Sequence, residues 1–67
     1  MLLIDKNKIY VKDYQEILLM DQNYFHIRMN EYSLKIKGQD LEIYYYDHQE
    51  LRLNGQVKVI EYDEDRI

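Results

Sequence analysis

The chain has no cysteine, proline, alanine, threonine or tryptophan, only two glycines and a single phenylalanine. Each absence excludes something. Without cysteine there are no disulfides and no thiolate metal sites, and the composition fits a reducing compartment. Without alanine, the best helix former, an α-helical protein is disfavoured. Two glycines 17 residues apart cannot form a phosphate-binding glycine loop. No apolar run approaches the roughly 20 residues needed to span a bilayer. The opening "MLLID" meets a charge at Asp5, too early for a signal peptide. The expectation is a cytoplasmic protein with no transmembrane segment.

At 67 residues the chain is one small domain. A domain this size buries only about 60% of its unfolded surface, so its core is marginal. With disulfides and thiolate metal sites excluded, self-association or a partner is the expected source of extra stability. The net charge is −4, unevenly spread. Residues 1–37 hold six Lys/Arg and five Asp/Glu, whereas residues 38–67 hold three and eight. That balance disfavours nucleic acid as a partner, because such affinity rests on neutralising phosphates. The acidic end, "EYDEDR" with residues 63–67 as the tail proper, reads as solvated and fraying.

What is present favours strands: eight tyrosines with many Ile, Leu and Val. Apolar residues alternate in segment after segment. Ile9 and Val11 share a face. Phe25, Ile27 and Met29 oppose Tyr24, His26 and Arg28. Tyr32, Leu34 and Ile36 oppose Ser33, Lys35 and Lys37. Leu41, Ile43 and Tyr45 oppose Glu42, Tyr44 and Tyr46. Leu51 and Leu53 flank Arg52. "KDYQEILLM" is compatible with a helical face through Tyr14, Ile17 and Leu18, but its neighbours favour a strand at 16–20. Turn signals fall at Asp5–Asn7, Asp21–Asn23, Asn30–Glu31, Gly38–Asp40, Asp47–Gln49 and Asn54–Gln56. The predicted fold is all-β: a small antiparallel meander forming a sandwich or open barrel, with residues 1–67 as one domain. Phe25, Ile27, Leu34, Ile36, Leu41, Ile43, Leu51 and Leu53, with Tyr45, are its expected core.

"LKIKGQ" at 34–39 is echoed by "LRLNGQ" at 51–56. Gly38 and Gly55 are expected at structural turns where a β-carbon is disfavoured. The last strand has apolar residues on both parities, Val57 and Val59 against Ile60 and Tyr62. Either a bulge near Val59–Ile60 switches faces or both faces are covered. "EILLM" has the same property: Ile17 and Leu19 point one way, Leu18 and Met20 the other. Leu18, Met20, Tyr44 and Tyr46 are therefore the candidate interface. The plainer reading of Tyr44 and Tyr46 is a solvated tyrosine face.

Catalytic chemistry finds little purchase. Ser33 is the only serine, without a local base, and reads as an ordinary outward residue. Asp47, His48 and Glu50, with His26, lack metal-ligand spacing, so no metal and no cofactor is expected. A small-barrel RNA-binding module is the alternative function, with Tyr44 and Tyr46 stacking on bases and Arg28, Lys35 and Lys37 as a basic stripe.

The run "YSLKIKGQDLEIYYYDHQELRLNGQVKVIEY" resembles the YabP/YqfC family of sporulation proteins, the YqfC branch in particular. The family pattern is matched by Leu34, Ile36 and Gly38; Leu41 and Ile43; Leu51, Leu53 and Gly55; and Ile60 and Tyr62. With its lead-in, "IYVKDYQEILLMDQNYFHI", the resemblance covers about residues 9–62. Many members carry a glycine just before the first of these strands, where this chain has "MNEYS". The resemblance implies a non-enzymatic protein of the mother-cell cytoplasm. It would contribute to endospore envelope assembly through contacts with itself or another sporulation protein, and it supplies no catalytic residues.

Overall fold

Period-two alternation becomes strand almost everywhere. The computed structural model describes residues 1–64. It contains β1 (Leu2–Asp5), β2 (Lys8–Lys12), β3 (Glu16–Asp21), β4 (Tyr24–Arg28), β5 (Tyr32–Tyr46) and β6 (Glu50–Glu64). All pairings are antiparallel in one open sheet of order β1-β2-β6-β5-β4-β3. The one departure from simple neighbour pairing is the β2–β3 link. There Asp13 takes a φ of 62° and its N–H donates to Gln49 O at 2.6 Å. No helix among the described residues is long and apolar enough to cross a membrane.

The core shows how one sheet encloses its own interior. Cross-strand partners share a face. Ile9 lies opposite Leu53 and Val11 opposite Leu51 on one half of the sheet. Phe25 lies opposite Ile36 and Ile27 opposite Leu34 on the other. All eight are buried, in one cluster with Met29 and Leu41. A single flat layer leaves each face open to solvent, so burial this complete requires the two halves to fold onto each other. Each enclosed Ile, Leu or Phe contributes about 1.5–3 kcal/mol. Ile43 packs against the cluster from its rim.

The fold-over occurs at the two glycines, and here the expected turns are corrected. Gly38–Asp40 and Asn54–Gln56 do not reverse the chain; both lie inside 15-residue strands. The register between β5 and β6 slips beside Gly38, and again where Gln39–Glu42 face Asn54–Gln56. Asp40 takes a φ of 54° and Gly55 a φ of 142° in that slip. Hairpin tips dock on both bends: Gly38 N donates to Asn23 O, and Gly55 N to Asn7 O, each at 3.0 Å. The echo seen in sequence is thus structural. Exchanging β1 with β3, β2 with β4 and β6 with β5 returns the same strand order reversed.

The last strand settles its parity by a bulge. Val57 faces Gly38 and Val59 faces Lys37, leaving Lys58 as the extra residue. Val57 and Ile60 then pack inward while Val59 is exposed. The expected fraying tail is also corrected. Strand pairing continues to Glu64, because Lys37 and Lys35 hold Glu61 and Asp63 at 2.8 and 3.0 Å and Tyr62 stacks on Tyr32. The remainder of that tail, residues 65–67, lies outside the described residues.

The β4–β5 reversal falls at "MNEYS", where the resemblance implies a glycine that this chain lacks. Glu31 occupies the left-handed region at φ 70°. An L-residue pays about 1–2 kcal/mol there, and glycine does not. Glu31→Gly is expected to stabilise the domain by about 0.5–1 kcal/mol, after glycine's own entropy cost. The urea midpoint should rise with the slope unchanged; an unchanged or lower midpoint refutes the strain.

Candidate interaction surface

Two further bulges decide where the candidate residues point. In β3, Ile17 faces Ile27 and Leu19 faces His26, so Leu18 is the extra residue. The consequence corrects simple alternation. Ile17 and Met20 share the inner face, opposite Ile27 and Phe25, while Leu19 lies on the outer face opposite His26. In β5, Ile43 faces Leu53, Tyr45 faces Arg52 and Tyr46 faces Leu51, leaving Tyr44 extra. Tyr45 was expected in the core. It is instead on the outer face and 42% exposed, because the bulge at Tyr44 shifts parity by one.

Tyrosines therefore appear on both faces for two different reasons. On the outer face they stack with cations. The Arg52 guanidinium sits 4.6 Å from the Tyr45 ring and 5.9 Å from that of Tyr10. Lys8 Nζ lies 4.5 Å from the Tyr44 ring. Such pairs contribute about 0.5–1 kcal/mol at exposed positions. On the inner side Tyr46, 68% exposed, stands at the end of the core with Met20, 61% exposed. These two, with Ile17 and Ile43–Tyr45, line an open depression of about 630 Å³. The structure thus joins Met20, Tyr44 and Tyr46 in one surface. Leu18 is exposed but outside that lining. Ile17, Ile43 and Tyr45 were missed as lining residues. The signal that could have found them is the pair of two-parity runs, "EILLM" and "IYYY", each containing a bulge.

Polar side chains nearby are engaged structurally. Asp47 accepts from Gln49 N at 2.8 Å, Glu50 N at 2.7 Å and the Tyr45 hydroxyl at 2.8 Å. Glu50 holds Arg52 through two bonds of 3.1 Å. The Tyr14 hydroxyl donates to the Asp47 carbonyl. Among the described residues no group of three or more His, Asp or Glu is arranged to hold a metal. Ser33, expected outward, does share the parity of Arg28 but is buried. It lies opposite Arg28 on one side and Asp63 on the other. The three cations of the supposed basic stripe are all paired: Arg28 with Glu16, Lys35 with Asp63 and Lys37 with Glu61. Lys37 holds the Glu61 carboxyl below its usual value. A face of neutralised cations offers little to a phosphate backbone.

The Asp47 carboxyl is held below its ordinary value, first by the Gln49 N–H, then by the Tyr45 phenol and the Glu50 N–H. A depressed folded value stabilises at pH above the unfolded-state value. The contribution is lost as pH falls through the folded value. Asp47→Ala is therefore expected to be less stable than wild type at neutral pH, with the gap narrowing once the solution is more acidic than the usual carboxylate range. Urea midpoints of both proteins across that range check it; a gap independent of pH would contradict it.

A family model, that of the YabP family, matches residues 1–67. The chain belongs to the YabP family. The match spans every strand, both glycine bends and the tyrosine depression. Membership in the YabP family suggests a sporulation-related protein. Comparison with curated proteins and with solved structures gives no significant match to either.

Proposed function

We propose that this YabP-family protein is a non-enzymatic structural module that contributes to endospore envelope assembly by protein–protein contact, in the mother-cell cytoplasm. The observation that carries the reading is the depression formed by Met20, Tyr46 and their neighbours. It is an apolar surface at the open end of a small core, on a domain whose size leaves it little stability to spare. Tyrosine suits such a surface, since it buries large apolar area and keeps a hydroxyl for the wet rim. A non-catalytic role is supported by the way Asp47, Glu50 and Arg52 are spent on turn and cation–π contacts.

The test is replacement of the native copy in a spore-forming host by the double variant Met20→Ser, Tyr46→Ser. Both side chains are more than half exposed, so the variant should accumulate and fold as wild type does. The expected result is spores with a defective envelope. Normal spores from a strain that accumulates the folded variant would refute the reading.

A further inference from the structure

We infer that the β3 edge is a two-fold pairing surface for a second copy of this chain, joining two six-stranded sheets through antiparallel β3 strands. The inference deepens the contact-forming reading above and rests on it. β3 pairs only with β4, so along its other side its main-chain N–H and C=O groups have no strand partner among the described residues. Exposed edges of this kind are normally guarded by lysine, proline or inward charge. β3 has none of these between its terminal carboxylates; its interior is Ile17, Leu18, Leu19 and Met20. Leu18 and Leu19 are each 46% exposed. The bulge at Leu18 is its one protective feature, and it is also what aligns Ile17 and Met20 on the inner face.

A second copy fits because the strand is self-complementary about its centre. Antiparallel pairing about the Leu18–Leu19 midpoint sets Ile17 against the partner's Met20, and Leu18 against the partner's Leu19. Ile17 and Met20 both belong to the inner face, so the two tyrosine depressions become continuous across the junction. At each end the partner's Asp21 arrives beside Glu16, where Arg28 already stands 2.8 Å away and is half exposed. That guanidinium is available to both carboxylates. The other edge, β1, is a poorer candidate. It is four residues long against six, and the depression beside it interrupts Ile4 and Val57 with Lys6, Asn7, Gln39, Asp40 and Gln56. Two-fold closure also ends growth at the dimer, as an isologous contact must.

The experiment measures mass against concentration by sedimentation equilibrium for wild type, Leu19→Lys and, as a control on the other edge, Leu3→Lys. Wild type should approach twice the 8.4 kDa of one chain. Leu19→Lys should raise the dissociation constant by about 100-fold or more, since pairing would desolvate a lysine from each copy. Leu3→Lys should associate as wild type. Amide exchange on wild type gives a readout that needs no variant: the N–H groups of residues 17–20 should gain protection as concentration rises. A monomeric wild type, a dimer indifferent to Leu19→Lys, growth into polymers, or protection confined to β1 would each overturn the inference. None of these results would refute the proposed function, which the spore phenotype tests separately.

Discussion

Gly38→Ala is expected to abolish most of the folded population. A β-carbon at this position would lie 2.0 Å from Gln56 O, 3.0 Å from Gln56 C and 3.2 Å from Val57 Cα. All three are main-chain atoms of β6, so no side-chain rotation can relieve the clash. The φ of Gly38 is not in the left-handed region; the requirement is space at the crossing of two bent strands. Relief would have to come from separating β5 and β6, the longest pairing in the molecule. Forced overpacking typically costs 1–3 kcal/mol, and a clash with fixed backbone should reach about 3 kcal/mol or more. A domain of this length has a total stability on the order of 3–10 kcal/mol. The far-ultraviolet spectrum and thermal melt should show a large loss. An exposed neighbour change, Glu42→Ala, should stay within about 0.5 kcal/mol of wild type. A Gly38→Ala protein that melts with wild type would show that the two strands do not cross as closely as described.

Phe25→Ala is expected to cost about 3–5 kcal/mol. Phe25 is the largest fully buried side chain and only 1% exposed. It stands between Met20 on β3 and Ile36 on β5, so it ties the edge hairpin to the centre of the sheet. Its removal leaves a void that neighbours on three strands can only partly fill. Phe25→Leu keeps most of the volume and should cost clearly less. Tyr45→Ala, by contrast, removes a half-exposed side chain that stacks on Arg52 and bonds Asp47, and should cost about 1 kcal/mol or less. Urea titration separates the three. If Phe25→Ala costs no more than Tyr45→Ala, the face assignment of β4 is wrong.

The contrast between Phe25 and Tyr45 shows where the sequence suffices. Strand alternation put Phe25, Ile27, Leu34, Ile36, Leu41, Leu51 and Leu53 in the expected core, and the structure buries them all, with Ile43 at the rim. Within 25–27, 34–36 and 51–53 no residue is added, so parity counted along the chain equals parity in space. The absence of cysteine excluded disulfides, and the absence of alanine disfavoured helix, for reasons that hold before folding. The family resemblance was legible too, because its pattern consists of Leu34, Ile36, Leu41, Ile43, Leu51, Leu53, Ile60 and Tyr62 spaced around the two glycines.

Simple parity failed at "EILLM" and "IYYY" and left "VKVI" open between a bulge and two covered faces; each is an apolar run on both parities. Each contains a bulge, at Leu18, Tyr44 and Lys58. A bulge adds one residue to one strand, and whether a residue is extra depends on what the opposite strand holds. That is a property of a pair of segments, and no single segment carries it. It exchanged Tyr45 with Tyr46 and brought Ile17 to the side of Met20, and so decided the make-up of the apolar depression.

The glycines divide in the same way. The repeat, with one glycine in each copy, marked positions 38 and 55 as places where a β-carbon is disfavoured, and the structure shows what one would meet there. The repeat did not determine whether the chain reverses there or bends. A tight turn and a sheet bend make the same local demand, a backbone free of Cβ. Only the pairing of β5 with β6 along nearly their whole length decided for the bend. With the bend came the closure of one sheet over its own core, because no local interaction, only the burial of both halves against each other, favours it.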